Sequence, residues 1–136
     1  MLLKKGVDVR LSQNFTSREF DCRCDSPLCQ STVVEELLVE SLELLREGSG
    51  PLVVLSGFRC EEHNARVGGV KDSQHLLGRA ADVRASRGLS PNSVAQLAGA
   101  VRAFAAGGIG IYRDLNFTHL DVRDDGPARW THPIKC

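Results

Sequence analysis

The apolar positions of the chain change period several times, and each change marks an element. Val34, Leu37, Leu38, Leu42 and Leu45 recur every three or four positions with glutamates between them, which predicts an amphipathic helix. Thr32-Val33-Val34-Glu35 has the form of a capping box and sets the expected helix start at Thr32. Gly48-Ser49-Gly50-Pro51 should stop it. Leu52-Val53-Val54-Leu55 is an unbroken aliphatic run and predicts a buried strand. Glu61 to Arg66 reads as a short helix, and Val67-Gly68-Gly69-Val70 as a turn. Arg79 to Arg84 suits a strand whose small residues pack closely against a neighbour. Ser90-Pro91 caps and opens a second helix, continued on one face by Val94, Leu97, Ala98, Val101 and Ala105 and ended by Gly107-Gly108. Ile109–Tyr112 and Thr118–Val122 predict two further strands joined by the loop from Arg113 to Phe117. Segregated helices with a small antiparallel sheet make this an α+β chain.

The first thirty positions show no such period and are expected to be irregular. With 136 residues in all, one domain over 1–136 is expected, made of an irregular cysteine-containing segment (1–30) and a core (31–136). Its 42% hydrophobic and 25% charged residues fit a globular protein rather than a disordered chain. Acidic and basic residues balance at 17 each, so broad phosphate binding, and with it nucleic acid, is not expected as a partner. No apolar run approaches the roughly 20 residues of a membrane span. Met1 to Asp8 lacks an apolar stretch of signal-peptide length, so export by an ordinary signal is not expected. A monomer is the expectation.

Five cysteines are present: Cys22, Cys24 and Cys29 crowd together, and Cys60 and Cys136 stand apart. Two disulfides with one free thiol, an all-thiol state, and a metal knot on the crowded three are all open. Four-cysteine zinc sites usually come as two paired hooks, and the second hook is missing here. Cys60 follows Arg59, and a bridge from it could staple the N-terminal segment to the core.

Two of the four histidines sit in stretches with metal-ligand chemistry. His75 precedes Asp82 across Gly78 and two alanines, which let the chain pass close to a site, and His119 begins His119-Leu120-Asp121. Two imidazoles and a carboxylate suit Zn²⁺ with a fourth position open. Residues two apart in a strand share a face, so Asp121 should point the same way as His119. His63 and His132 are read as surface or hydrogen-bonded side chains. Asn14-Phe15-Thr16 and Asn116-Phe117-Thr118 match a glycosylation pattern too short to carry weight.

Several motifs in order resemble the zinc D-alanyl-D-alanine carboxypeptidase family, the hedgehog-type murein peptidases that include phage L-alanyl-D-glutamate endopeptidases. They are Ser56-Gly57-Phe58-Arg59-Cys60, His63-Asn64, Val67-Gly68-Gly69, the stretch from Ser73 to Asp82, Gly108 to Tyr112, Thr118 to Arg123 and Ala128-Arg129-Trp130. Asn14-Phe15 and Glu19-Phe20-Asp21-Cys22 resemble the family's common opening. The most specific piece is Ser-x-His-x-x-Gly-x-Ala-x-Asp, filled by Ser73, His75, Gly78, Ala80 and Asp82.

The resemblance implies a hedgehog-like zinc fold, one zinc per chain on His75, Asp82 and His119, and hydrolysis of peptidoglycan stem peptides or cross-links. It implies a catalytic and substrate-binding role for Arg59 beside the metal, a substrate-holding role for Ser73, and for Trp130 either a substrate-facing wall of the cleft or plain packing. Many relatives carry the general base three residues before the last histidine, where this chain has Asn116. Asp121 is therefore the leading expected base and Asp114 the second, with orientation of a ligand histidine as the other role open to Asp121. A non-catalytic zinc-containing binding module for cell wall or protein is the alternative function. A wall peptidase without a signal peptide resembles a phage lysin, released by other means.

Overall fold

The computed structural model describes residues 1–133. Cys136 lies outside them. In chain order the elements are β1 (Leu2–Lys4), β2 (Ser31–Val33), α1 (Glu36–Ser49), β3 (Leu52–Ser56), α2 (Glu61–Arg66), β4 (Ala80–Ala85), α3 (Pro91–Ala98), α4 (Arg102–Ala105), β5 (Gly108–Tyr112), β6 (Phe117–Asp121) and β7 (Ala128–His132). Short 3-10 turns occupy Ser17–Phe20 and Gln74–Leu77. The α+β class and the small helix-flanked sheet are those expected.

The main sheet has the order β3-β4-β6-β5-β7. All its pairings are antiparallel except β5 with β7. One face is apolar: Leu52, Val54, Ala81, Val83, Ile109 and Leu120 join α1 residues Leu38, Val39, Leu42 and Leu45, together with Val94, Ala98 and Phe104 from α3 and α4, in one buried core. The alternate residues of the same strands face away from the helices. The register sets Asp82 beside His119, Ala80 beside Asp121, and Gly110 between His119 and Trp130. A register shift between Val54 and Ser56 brings Ser56 opposite Asp82. The polar face of the sheet is thus assembled by strand alternation.

Three local expectations are corrected. Thr32 does not cap α1: it is buried in β2, where its hydroxyl donates to the Asp21 carboxylate, and the helix begins four residues later after Glu35. A buried Thr with a β-strand partner gains more there than at a solvent-facing cap. The second helix is not continuous, because Gly99 and Ala100 interrupt it and α4 restarts after Val101. The first thirty residues hold β1, which pairs antiparallel with β2, and a 3-10 turn whose Thr16 and Glu19 form a capping box. Neither β1 nor β7 has a long apolar alternation, so their strand character comes from their partners.

Candidate zinc site

Each histidine of the polar face is oriented by a partner that only accepts hydrogen bonds. His75 is 2% exposed and lies in the 3-10 turn over Gln74–Leu77, capped by Ser73, whose hydroxyl accepts from the His75 backbone N–H at 3.2 Å. Its Nδ1 is 2.6 Å from the Gly57 carbonyl oxygen, so Nδ1 carries the proton and Nε2 is left with its lone pair. That Nε2 is 3.3 Å from Asp82 Oδ1. His119 has Nε2 2.7 Å from Asp121 Oδ2 and Nδ1 3.0 Å from the same Asp82 Oδ1. Asp121 faces the N–H, and Nδ1 is the nitrogen turned toward Asp82 and His75.

His75, Asp82 and His119 therefore bring three ligand atoms within 4.8 Å of one another, all from buried residues. A tetrahedral zinc held at about 2.0–2.1 Å spaces its ligand atoms by ~3.3 Å. The Asp82 oxygen stands at 3.3 and 3.0 Å from the two ring nitrogens, so the residues present fit that ion.

The supporting shell is charged and tight. Burial works against ionisation of Asp82, but the adjoining His119 and His75 rings outweigh it and hold its carboxyl well below the usual range. Arg59 closes the other side of Asp82, with a guanidinium nitrogen 3.2 Å from Oδ2, Nε 3.2 Å from the Ser56 hydroxyl and a third nitrogen 3.3 Å from Asn64 Oδ1. Asp121 is completely buried. Arg123 grips it with two N–H groups at 2.8 and 2.7 Å, and the Gly108 backbone N–H donates to Oδ1 at 2.9 Å. Here too burial raises the carboxyl, and Arg123 followed by His119 more than reverses it. For His119 burial favours the neutral ring, but Asp121 and Asp82 prevail and raise its pKa.

The Trp130 ring packs 4.9 Å from the His119 ring, with the Arg123 guanidinium 5.7 Å above the indole. Its Nε1 donates to the Tyr112 hydroxyl at 3.0 Å. This wall needs glycine on the neighbouring strand: a Cβ at Gly110 would overlap the indole, and one at Gly108 would overlap the Asp121 carboxylate. A cleft of about 980 Å³ opens over these residues, and Arg59, Ser73, His75, Asp82, His119 and Trp130 line it. The structure thus brings Arg59, Ser73, His75, Asp82, His119 and Trp130 around one cleft, with Asp121 behind His119 and Asp114 outside the lining.

Asn116 sits in the β5–β6 turn at φ +56°, a left-handed conformation that asparagine tolerates, and it does not line the cleft. Asp114 in the same turn is 3.1 Å from His132 Nδ1, and that imidazole stacks on Tyr112. The sequence reading missed the Arg123 clamp and the Gly57 carbonyl. Arg123 was findable, because it follows Asp121 by the same two-residue step that separates Asp121 from His119, just past the end of β6. The Gly57 carbonyl carries no side-chain signal.

Two buried histidines and a carboxylate at the foot of an open cleft could hold a metal ion. The family model Peptidase M15 matches residues 13–121, and the chain belongs to this family of zinc D-Ala-D-Ala carboxypeptidase-like peptidases. It is a zinc-dependent peptidase in the general sense of that family. A search of curated proteins found no match to the chain.

Proposed function

We propose that the protein hydrolyses peptide bonds of peptidoglycan, in its stem peptides or cross-links, with one zinc held by His75 Nε2, Asp82 and His119 Nδ1. The observation that carries the reading is the shared Asp82 oxygen, set between two ring nitrogens whose outer nitrogens are already committed. Zinc bound there would lower the pKa of a water and polarise the scissile carbonyl. The chain's own residues do the rest. Gly57 and Asp121 keep the two rings in the tautomers that present lone pairs inward. Arg59 holds the second Asp82 oxygen and, lying along the cleft, has N–H groups left to bind an anionic or developing-oxyanion oxygen of the substrate. Ser73 fixes the turn that carries His75, and Trp130 walls the cleft and keeps water from the His119 side.

Both oxygens of Asp121 are occupied by His119, Arg123 and Gly108. That supports orientation of His119, the second of the two roles considered for Asp121, over acceptance of the water's proton. Arg59, Arg79 and Arg123 line the cleft together with Asp72, Asp124 and Asp125, so its rim carries partners for both the carboxylates and the amines of a stem peptide.

The test is release of amino groups from purified murein. The wild type should release them, a chelator should stop it, and zinc should restore it. His119→Ala should lose at least about a hundredfold in rate, consistent with removal of a metal ligand. Zinc-loaded protein that releases nothing from any murein, while cleaving other peptides, would overturn the substrate assignment.

A further inference from the structure

A second cluster of ligand-type side chains lies outside the cleft. The sulfurs of Cys22, Cys24, Cys29 and Cys60 all lie within 4.8 Å of one another. The fourth sulfur, which the crowded three lack in the sequence pattern, is thus supplied by Cys60. Cys22, Cys24 and Cys29 belong to the segment between the first 3-10 turn and β2, whereas Cys60 precedes α2, directly after Arg59. The two segments are already joined by the backbone bond from the Phe58 N–H to the Phe20 carbonyl at 2.9 Å.

The spacing distinguishes between the ways four sulfurs can meet. A disulfide needs about 2.05 Å between sulfurs. Four thiolates around one tetrahedral zinc, at about 2.3 Å each, stand ~3.8 Å apart. Cys22 to Cys60 is 3.7 Å and Cys60 to Cys24 is 3.9 Å, and all four are thiols. A plain apolar packing of thiols is a poor alternative, because three of the four are partly exposed and a lysine lies among them. Lys5 Nζ is 3.4 Å from Cys24 Sγ and donates to the Cys24 carbonyl at 3.1 Å. The Cys60 backbone N–H points at Cys22 Sγ from 3.4 Å. Donors aimed at sulfur are the outer shell that a thiolate–metal centre uses to offset its negative charge.

We propose that these four cysteines bind a second zinc ion, a closed structural site distinct from the open one in the cleft. On binding, each thiol gives its proton to solvent as its sulfur takes up the metal. The site ties the N-terminal segment to the loop carrying Arg59, and so fixes the position of the guanidinium that grips Asp82.

The experiment is metal analysis of the full chain combined with thiol chemistry. The native protein should hold two zinc ions per chain, and a thiol-blocking mercurial should release one of them to a zinc indicator. Cobalt-substituted protein should show intense thiolate-to-cobalt charge-transfer absorption. His119→Ala should keep that absorption, whereas Cys24→Ser with Cys29→Ser should lose it together with one metal. If the double variant does not fold, the wild-type mercurial release and cobalt spectrum decide. Four more reactive thiols should appear when zinc is stripped, a difference that does not depend on Cys136. One zinc per chain with none released by mercurial, or no thiolate band in the cobalt protein, would overturn the proposal.

Discussion

At the scale of single residues, the site is defined by which atoms are already occupied. Asp121 is chemically a base but sterically a clamp, since Arg123, His119 and Gly108 consume its oxygens. Asp121→Asn should therefore leave the fold intact and weaken zinc in the cleft roughly 10–100-fold, the usual scale for loss of a partner behind a metal-ligating histidine. Zinc competition against a chromogenic chelator measures it, and unchanged affinity would refute the clamp. His119 and Asp121 were legible as an alternating pair on one strand face. The tautomer of His75 was not, because it depends on a carbonyl eighteen residues away in sequence.

At the scale of elements, β5 is the strand whose composition the site dictates. Gly108 and Gly110 lie on the polar face, where Asp121 and Trp130 side chains cross over the backbone. Gly108→Ala should force the Asp121 carboxylate aside, costing about 1–3 kcal/mol of stability by overpacking and weakening cleft zinc as well. Denaturant unfolding of the variant beside Asp121→Asn separates the two effects. Gly78 is constrained differently: φ is +71° and the Val33 backbone fills the space a side chain would need. In the sequence Gly108 reads as part of a helix stop, Gly110 as part of a strand and Gly78 as a point where the chain passes close to a site. Only the neighbouring strands show why β5 and the His75 turn must be bare.

At the scale of the whole molecule, removing metal should expose the charge balance of the cleft. Asp82 and Asp121 have carboxyls depressed below their ordinary 3.8. Depressed acids stabilise the fold above their unfolded pKa, and this contribution is lost as pH falls through the folded values. His119 is raised above its ordinary 6.5, so its contribution is complete below that pH and is lost as pH rises through the folded value. Chelator-treated protein should thus be most stable in mildly acidic solution. Its Tm should fall below about pH 4 and fall again as pH rises past about 6.5, the ordinary histidine value. Zinc competes with the His119 proton, so the rise in Tm on adding zinc should grow with pH. Scanning calorimetry with and without metal checks both limbs.

What the sequence alone determined follows from local periodicity and from motif order. The spacing of Leu38, Leu42 and Leu45 makes α1 because a helix must bury one stripe. The alternation of β4 and β6 puts Asp82, His119 and Asp121 on one face because a strand has period two. The succession from Ser73 to Asp82 and on to His119 marked the family. The remainder was decided by contacts between segments distant in the chain. β1 and β7 are strands because β2 and β5 offer them hydrogen bonds, not because their own residues demand it. Thr32 left its apparent cap for a buried partner in Asp21. Cys60 met three cysteines 31 to 38 residues earlier because Phe20 and Phe58 run side by side. Local pattern fixes what an element can be, while only packing brings together the donors, acceptors and sulfurs that no short stretch of chain contains.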